Sequence, residues 1–121
     1  MLIKDLYEIK KIEKNADRIQ ADVHLNKDHE IFKGHFPGNP VMPGVCMIQM
    51  IKELTEKELQ KELFLVRSTN IKFMAIINPE KNPDLSLSID FSEEDGTLKI
   101  RNTTTFEDTV ALKLNAIFKI I

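Results

Sequence analysis

The sequence of 121 residues contains one cysteine, Cys46, so no disulfide bond can form within the chain. Its net charge is -2, which predicts no strongly basic surface for nucleic acid or anionic lipid. No apolar run reaches membrane-spanning length, and the first residues lack the apolar core of a signal peptide. We therefore expect one globular domain, residues 1–121, in a reducing cytoplasmic setting, with no nucleic-acid or membrane partner.

Residue types that support metal or phosphate chemistry are also few. The three histidines are scattered, and together with Cys46 they do not form a metal-ligand set. The sequence has neither a glycine-rich phosphate loop nor the G-x-S-x-G turn of a serine hydrolase. We therefore predict that the protein has no metal site, and that Cys46 is a small buried thiol in an apolar run.

Glycine and proline are scarce, with four and five residues, but they are concentrated in one segment. Residues 34–44, GHFPGNPVMPG, contain three glycines and three prolines. His35 lies among them, where a stiff backbone would hold its imidazole in one place, as a general base requires. Taken alone, however, a histidine in a loop is more often structural than catalytic.

An apolar run follows this segment and predicts a helix that begins near Pro43 or Gly44. From Val45 to Ile51 it is apolar on almost every side, which predicts an enclosed helix, whereas residues 52–63 are polar and predict a solvated face. The helix N-terminus would offer unpaired N–H groups to an oxyanion, and Gly44 would let a ligand approach them. Gln49, the amide within the run, is equally well read as a hydrogen-bonded core residue or as part of a site.

Alternating apolar and polar residues predict strands on both sides of this helix. The predicted strands are residues 7–14, 18–25, 63–77, 85–91, 97–106 and 109–121. The side chains predicted to point inward are Ile19, Ala21, Val23, Leu25, Leu85, Leu87, Ile89, Phe91, Val110, Leu112, Leu114, Ala116, Phe118 and Ile120. This order of elements predicts an α+β fold, in which an antiparallel sheet of about six strands wraps round one central helix.

The segment GHFPGNPVMPGV resembles the motif of the bacterial 3-hydroxyacyl-[acyl-carrier-protein] dehydratases of the FabZ/FabA type. The run FKGHF before it, and IKF followed by Pro79 after it, extend a looser likeness over most of the chain. The resemblance implies the hotdog fold and loss of water from a 3-hydroxyacyl thioester to give a trans-2-enoyl thioester. This reaction belongs to fatty-acid or related lipid and polyene synthesis, and it needs no cofactor because the thioester acidifies the C2 proton.

The resemblance also implies roles for individual residues. His35 matches the histidine that removes the C2 proton, and Gly44 matches the glycine whose N–H polarises the thioester carbonyl. The family's acid lies fourteen residues after the histidine, where this chain has Gln49, and an amide cannot deliver a proton of comparable acidity. The residues implied as walls of the substrate tunnel are Phe36, Pro43, Val45 and Ile48.

The implied partner is an acyl carrier protein, with Lys33, Arg67 and Lys72 as candidate contacts. The implied assembly is a homodimer, a trimer of dimers, or a heteromer in which a paralogue supplies the acid. Gln49 keeps a second interpretation open, a weakly active or non-catalytic subunit that binds acyl chains or pairs with an active paralogue. A third interpretation, an acyl thioesterase, uses the same fold.

Overall fold

A computed structural model describes residues 5–33 and 40–121. The elements in chain order are β1 (Tyr7–Lys14), β2 (Arg18–Leu25), a 3-10 helix (Glu30–Phe32), α1 (Gly44–Leu59), β3 (Leu63–Phe73), β4 (Asp84–Glu94), β5 (Thr97–Phe106) and β6 (Thr109–Ile120). The strands form one sheet in the order β1-β2-β4-β5-β6-β3, and every neighbouring pair is antiparallel. The predicted α+β arrangement of six antiparallel strands and one long helix is confirmed for these residues.

The core lies between one face of the sheet and one side of α1. The four inward residues predicted in β2 are at most 1% exposed, and Met47, Met50 and Leu54 of α1 are fully buried. Apart from Ala21, which is smaller, each such side chain contributes about 1.5–3 kcal/mol to stability by leaving water. Cys46 is 4% exposed, as predicted for a buried thiol, and burial raises the pKa of that thiol.

Helix α1 begins at Gly44 as predicted, but its burial differs from the sequence prediction. Val45 is 73% exposed, because the sheet of the single chain covers only one side of the helix. Leu54 and Thr55 are fully buried although residues 52–63 were expected to be solvated, and the Thr55 hydroxyl donates to the Ile51 carbonyl at 2.7 Å. Among the described residues, no helix has the length and hydropathy needed to cross a membrane.

Strand β3 ends at Phe73 rather than at the predicted Ile77. The N–H groups of the next two residues both donate to the carbonyl of Ala111, at 2.8 and 3.3 Å, and this interrupts the regular pairing with β6. The chain then passes close to the segment before α1, where the Met42 N–H donates to the Ile77 carbonyl at 2.8 Å. This bond holds the segment after β3 beside the start of the helix.

One inward residue was also predicted wrongly in β6. Val110 is 37% exposed, whereas its neighbour Ala111 is fully buried. The pairing of β5 with β6 shifts register between Thr104 and Thr105, and such a bulge changes which residues face the core. The next four predicted inward residues of β6 are buried, namely Leu112, Leu114, Ala116 and Phe118.

Candidate active site

Two of the predicted site residues, His35 and Phe36, lie outside the described residues. The assignment of His35 as the base and of Phe36 as a tunnel wall therefore stays a prediction. The remaining predicted site residues lie at the start of α1 or on its first turns.

The N-terminus of α1 is the place where the sequence predicts an oxyanion site, and it has no side-chain cap among the described residues. Pro43 precedes the helix in an extended conformation, with φ -68° and ψ 148°. The N–H groups of Cys46 and Met47 reach the Pro43 carbonyl at 3.1 and 3.2 Å. The N–H groups of Gly44 and Val45 come before these bonds and have no acceptor within the helix. Together with the helix dipole, they can stabilise negative charge on an oxygen atom.

An apolar pocket of about 420 Å³ opens at this helix end. Pro43 and Gly44 form one side of it, and Phe73, Met74 and Ile76 contribute to the other. A Cβ atom built on Gly44 would lie 3.4 Å from Cε2 of Phe73. The missing side chain of Gly44 thus leaves space for about one methyl group between the helix backbone and the ring. Through this space a ligand's carbonyl oxygen can approach the backbone N–H groups.

The described tunnel residues do not all meet in this pocket. Pro43 lines it, Ile48 is half-buried and packs against the core, and Val45 points into solvent in the single chain. Their shared role as tunnel walls stays a prediction. Among the described residues, three other depressions lie on the outer face of the sheet, beside Tyr7 and at the turn between β4 and β5, and none of them includes the start of α1. We therefore place the candidate site at Gly44.

Gln49 belongs to a hydrogen-bonded group of three side chains. Its Nε2 donates to Oε2 of Glu53 at 3.0 Å, and Oε1 of the same carboxylate accepts from the Tyr7 hydroxyl at 2.9 Å. Burial raises the pKa of Tyr7, and the hydrogen bond to Glu53 and its negative charge raise it further. The amide of Gln49 is thus hydrogen-bonded within the chain, and its role in a site stays a prediction.

Sequence reasoning missed both Glu53 and Tyr7. Residues four apart on a helix are neighbours, so the spacing of Gln49 and Glu53 was a usable signal for their contact. Glu53 was instead assigned to a solvated face. Tyr7 lies 46 residues away from Glu53 in sequence, and no local pattern indicates that β1 brings its hydroxyl to α1.

The other two histidines have structural partners. His24 Nδ1 lies 2.7 Å from Oδ1 of Asp84, and both side chains are largely exposed. His29 Nδ1 accepts the N–H of Ile31 at 3.1 Å and caps the 3-10 helix. Neither lines the pocket at Gly44. Residues 5–33 and 40–121 contain no group of three or more side chains arranged to hold a metal ion.

The sequence model of the ApeI-like family, described as ApeI dehydratase, matches residues 11–113. A 3-hydroxyacyl-[acyl-carrier-protein] dehydratase FabZ from Lactobacillus helveticus is 32% identical over 110 residues, which cover 85% of this chain and 74% of the relative. The FabZ of Rickettsia massiliae is 35% identical over 88 residues, which cover 66% of this chain and 60% of the relative.

Solved structures share the fold. A chain of the dehydratase heterocomplex ApeI:P from Xenorhabdus doucetiae has a TM-score of 0.76 at 23% identity, covering 93% of this chain and 96% of that one. The thioesterase HI1161 from Haemophilus influenzae has a TM-score of 0.67 at 12% identity, covering 97% of this chain and 80% of that one. These similarities confirm the predicted hotdog fold, and at such low identity they show the fold alone.

Proposed function

The chain belongs to the ApeI-like family of dehydratases, and from that premise we propose that it removes water from 3-hydroxyacyl thioesters bound to an acyl carrier protein. The observation that carries the proposal is the uncapped start of α1 at Gly44, which opens onto an apolar pocket beside Phe73. The pocket suits an acyl chain, and the backbone N–H groups suit a thioester oxygen. We place the reaction in the cytoplasm, in fatty-acid or related lipid or polyene synthesis, without a metal or organic cofactor.

In the proposed reaction, His35 takes a proton from C2 of the acyl chain. We assign this role to His35 because the motif around it matches the motif of the family. The electrons of that C–H bond form an enolate, and the Gly44 N–H stabilises the negative charge on its oxygen. The electrons then form the C2=C3 double bond as the C3–O bond breaks. The His35 imidazolium gives its proton to the departing hydroxyl, so water leaves and the base returns to its neutral form.

Gln49 has a weaker role than the acid found at this position in related enzymes. Its amide forms a hydrogen bond with the 3-hydroxyl but does not protonate it. The absence of a dedicated general acid typically costs about 10²–10⁴ in rate. We therefore expect a slow dehydratase.

We propose that the working unit is a dimer formed through β3. This strand lies at one end of the sheet order, and an unpaired apolar edge is a site of association. The exposed apolar residues on or near β3 are Phe64 (61%), Val66 (51%), Ile71 (41%), Phe73 (43%), Met74 (47%) and Ile76 (63%). We expect the partner subunit to cover these residues and the exposed Val45.

The same edge could instead receive a paralogue. The similar chain from Xenorhabdus doucetiae is part of a dehydratase heterocomplex, and a paralogue with an acid could complete the site here. This is our second candidate function, a subunit that binds acyl chains and supports an active partner. The hydrogen bond that ties Gln49 to Glu53 favours it, because a bonded amide is compatible with a purely structural role.

We propose that the carrier protein docks on the outer face of β3, β5 and β6. These three adjacent strands contain six basic residues and no Asp or Glu: Arg67, Lys72, Lys99, Arg101, Lys113 and Lys119. Lys72 pairs with Lys113 in the register, next to Phe73 at the pocket. An acidic carrier would be attracted to this face by charge complementarity. Lys33, at the end of the 3-10 helix, is on a separate element.

The test is incubation of the purified protein with a 3-hydroxyacyl carrier substrate, followed by measurement of the product mass. Loss of one water supports dehydration, whereas release of a free hydroxy acid supports the thioesterase alternative. Product that forms only after a paralogue is added supports the subunit interpretation. We expect His35→Ala to abolish turnover and His24→Ala, which removes an exposed histidine away from the pocket, to leave it unchanged. Full turnover by His35→Ala would refute the assignment of the base.

A further inference from the structure

We propose that Phe73 determines which acyl thioesters the site accepts: its ring admits chains with an unbranched C2 and excludes chains with a methyl group on C2. The inference rests on the proposed function, because it specifies the substrate class of the site at Gly44. It starts from one measurement. A methyl carbon built on Gly44 would lie 3.4 Å from Cε2 and 3.9 Å from Cζ of the Phe73 ring.

The space between the helix start and the ring is one carbon atom deep. Two unbonded carbon atoms are in contact at about 3.5–4.0 Å, so a methyl carbon on Gly44 would already touch the ring. Among the described residues away from the helix start, Phe73 alone comes within 4 Å of that carbon. The ring is therefore the wall that limits what can lie over Gly44.

The C2 atom of the substrate has to lie next to this narrow space. When the thioester oxygen accepts the Gly44 N–H, the oxygen and the nitrogen are about 2.9 Å apart. The carbonyl carbon follows that oxygen, and C2 follows the carbonyl carbon, so C2 lies close to the atom that is held. A planar thioester with two hydrogen atoms on C2 can lie flat against the ring. A methyl group on C2 projects out of the thioester plane and adds a second carbon to a space that holds one.

The strand that carries the ring is anchored on both sides of Phe73. Phe73 pairs in register with Leu112 of β6, which is fully buried, and the next two N–H groups both donate to the carbonyl of Ala111. The ring therefore does not retreat by a movement of its backbone. It is 43% exposed, so it could make room only by turning about its own side-chain bonds. The proposal requires that the ring stays over Gly44.

The pocket is more accommodating away from Gly44. Its outer walls include Met74 and Ile76, whose side chains are 47% and 63% exposed. Methionine is flexible and adapts to irregular shapes. A methyl group near the far end of the acyl chain should therefore be tolerated, although it adds the same volume as a methyl group on C2. The position of the branch, rather than the size of the acyl group, decides acceptance.

Binding of unreactive ligands tests the inference without turnover. The ligands are the pantetheine thioesters of octanoate, 7-methyloctanoate and each C2 epimer of 2-methyloctanoate, which all lack the 3-hydroxyl. By calorimetry, we expect the native protein to bind the first two with similar affinity. Both 2-methyl epimers should bind about 10- to 200-fold more weakly, the range for one methyl group that a pocket does not accommodate.

Variants of the pocket identify the residue responsible. Phe73→Leu removes Cε2 and Cζ, the two atoms next to Gly44, but keeps an apolar side chain. The 2-methyl isomers should then bind almost as well as the 7-methyl isomer. The matched control is Ile76→Ala, which changes another exposed residue of the same pocket and should weaken all the ligands without changing their ratio. If thermal unfolding shows that Phe73→Leu does not fold, Phe73→Ala opens the same space.

The affinity ratio decides the inference. Equal native affinity for the 2-methyl and 7-methyl isomers would mean that the ring turns aside, and a ratio that Phe73→Leu leaves unchanged would mean that another group discriminates; either result overturns the proposal. Discrimination without loss of water from a 3-hydroxyoctanoyl thioester would refute the proposed function and leave the role of Phe73 standing. Equal kcat/KM for 3-hydroxyoctanoyl and 2-methyl-3-hydroxyoctanoyl thioesters would support the proposed function and refute the specificity.

Discussion

The exchange Gln49→Glu places a second carboxyl group beside Glu53. In the native chain the amide nitrogen lies 3.0 Å from the Glu53 oxygen, and the new carboxyl oxygen takes almost the same position. Two ionised carboxylates at about 4 Å repel each other by about 4 kcal/mol at an effective dielectric constant of about 20. The pair avoids most of this cost by keeping one proton between its two members. The exchange thus creates a proton donor at the position where the motif match predicts the acid of the family.

A retained proton should accelerate dehydration. General acid catalysis contributes about 10²–10⁴ in rate, equivalent to about 3–5 kcal/mol of activation free energy. The introduced carboxyl has its pKa raised in the folded state. Its protonated form is therefore favoured by folding, and the stability that it contributes is present at low pH and lost as the pH rises. We expect Gln49→Glu to be more stable at about pH 5 than at about pH 8, relative to the native chain.

The assay compares the native chain, Gln49→Glu and the double variant Gln49→Glu/Glu53→Gln on one 3-hydroxyacyl carrier substrate, together with thermal unfolding at both pH values. The double variant contains one carboxyl and one amide again, so it should lose the pH-dependent change in stability. If Gln49→Glu and the double variant show the same pH dependence, positions 49 and 53 do not interact and the reasoning fails. If the proton is retained but the rate does not increase, position 49 does not face the leaving hydroxyl.

Three further predictions concern other parts of the structure. Gly44→Ala puts a methyl group 3.4 Å from the Phe73 ring, where it fills the space through which a ligand reaches the helix N–H groups. Tm should stay equal or rise, because alanine favours the helix more than glycine does, while kcat/KM should fall at least about tenfold. Unchanged kinetics would contradict the assigned oxyanion site. Tyr7 is the only tyrosine, so its phenolate absorbance can be read directly, and it should appear well above the ordinary pKa of 10.0. Because the folded state favours the neutral phenol, the free energy of unfolding should decrease as the pH rises beyond 10.0, and Tyr7→Phe should remove this dependence. Val66→Lys puts a charge on the exposed edge of β3 and should give a monomer by analytical ultracentrifugation, whereas a stable dimer would place the interface elsewhere.

The sequence by itself determined the features that depend on local chemistry. The alternation in β2 and β4 fixed which residues face the core, because a strand with one buried face repeats every two residues. The helix start at Gly44 followed from the proline before it and the apolar run after it. The motif around His35 indicated the dehydratase family, because its residue pattern is dense and highly specific.

Only the tertiary structure decided the features that depend on contacts between distant parts of the chain. The sheet covers one side of α1, so Val45 is exposed and Leu54 is buried, although both are apolar helix residues. A bulge in the pairing of β5 with β6 put Ala111, rather than the predicted Val110, into the core. The bond from Tyr7 to Glu53 joins residues 46 positions apart. Helix and strand periodicities describe a single element, and they contain no information about which other element will cover it.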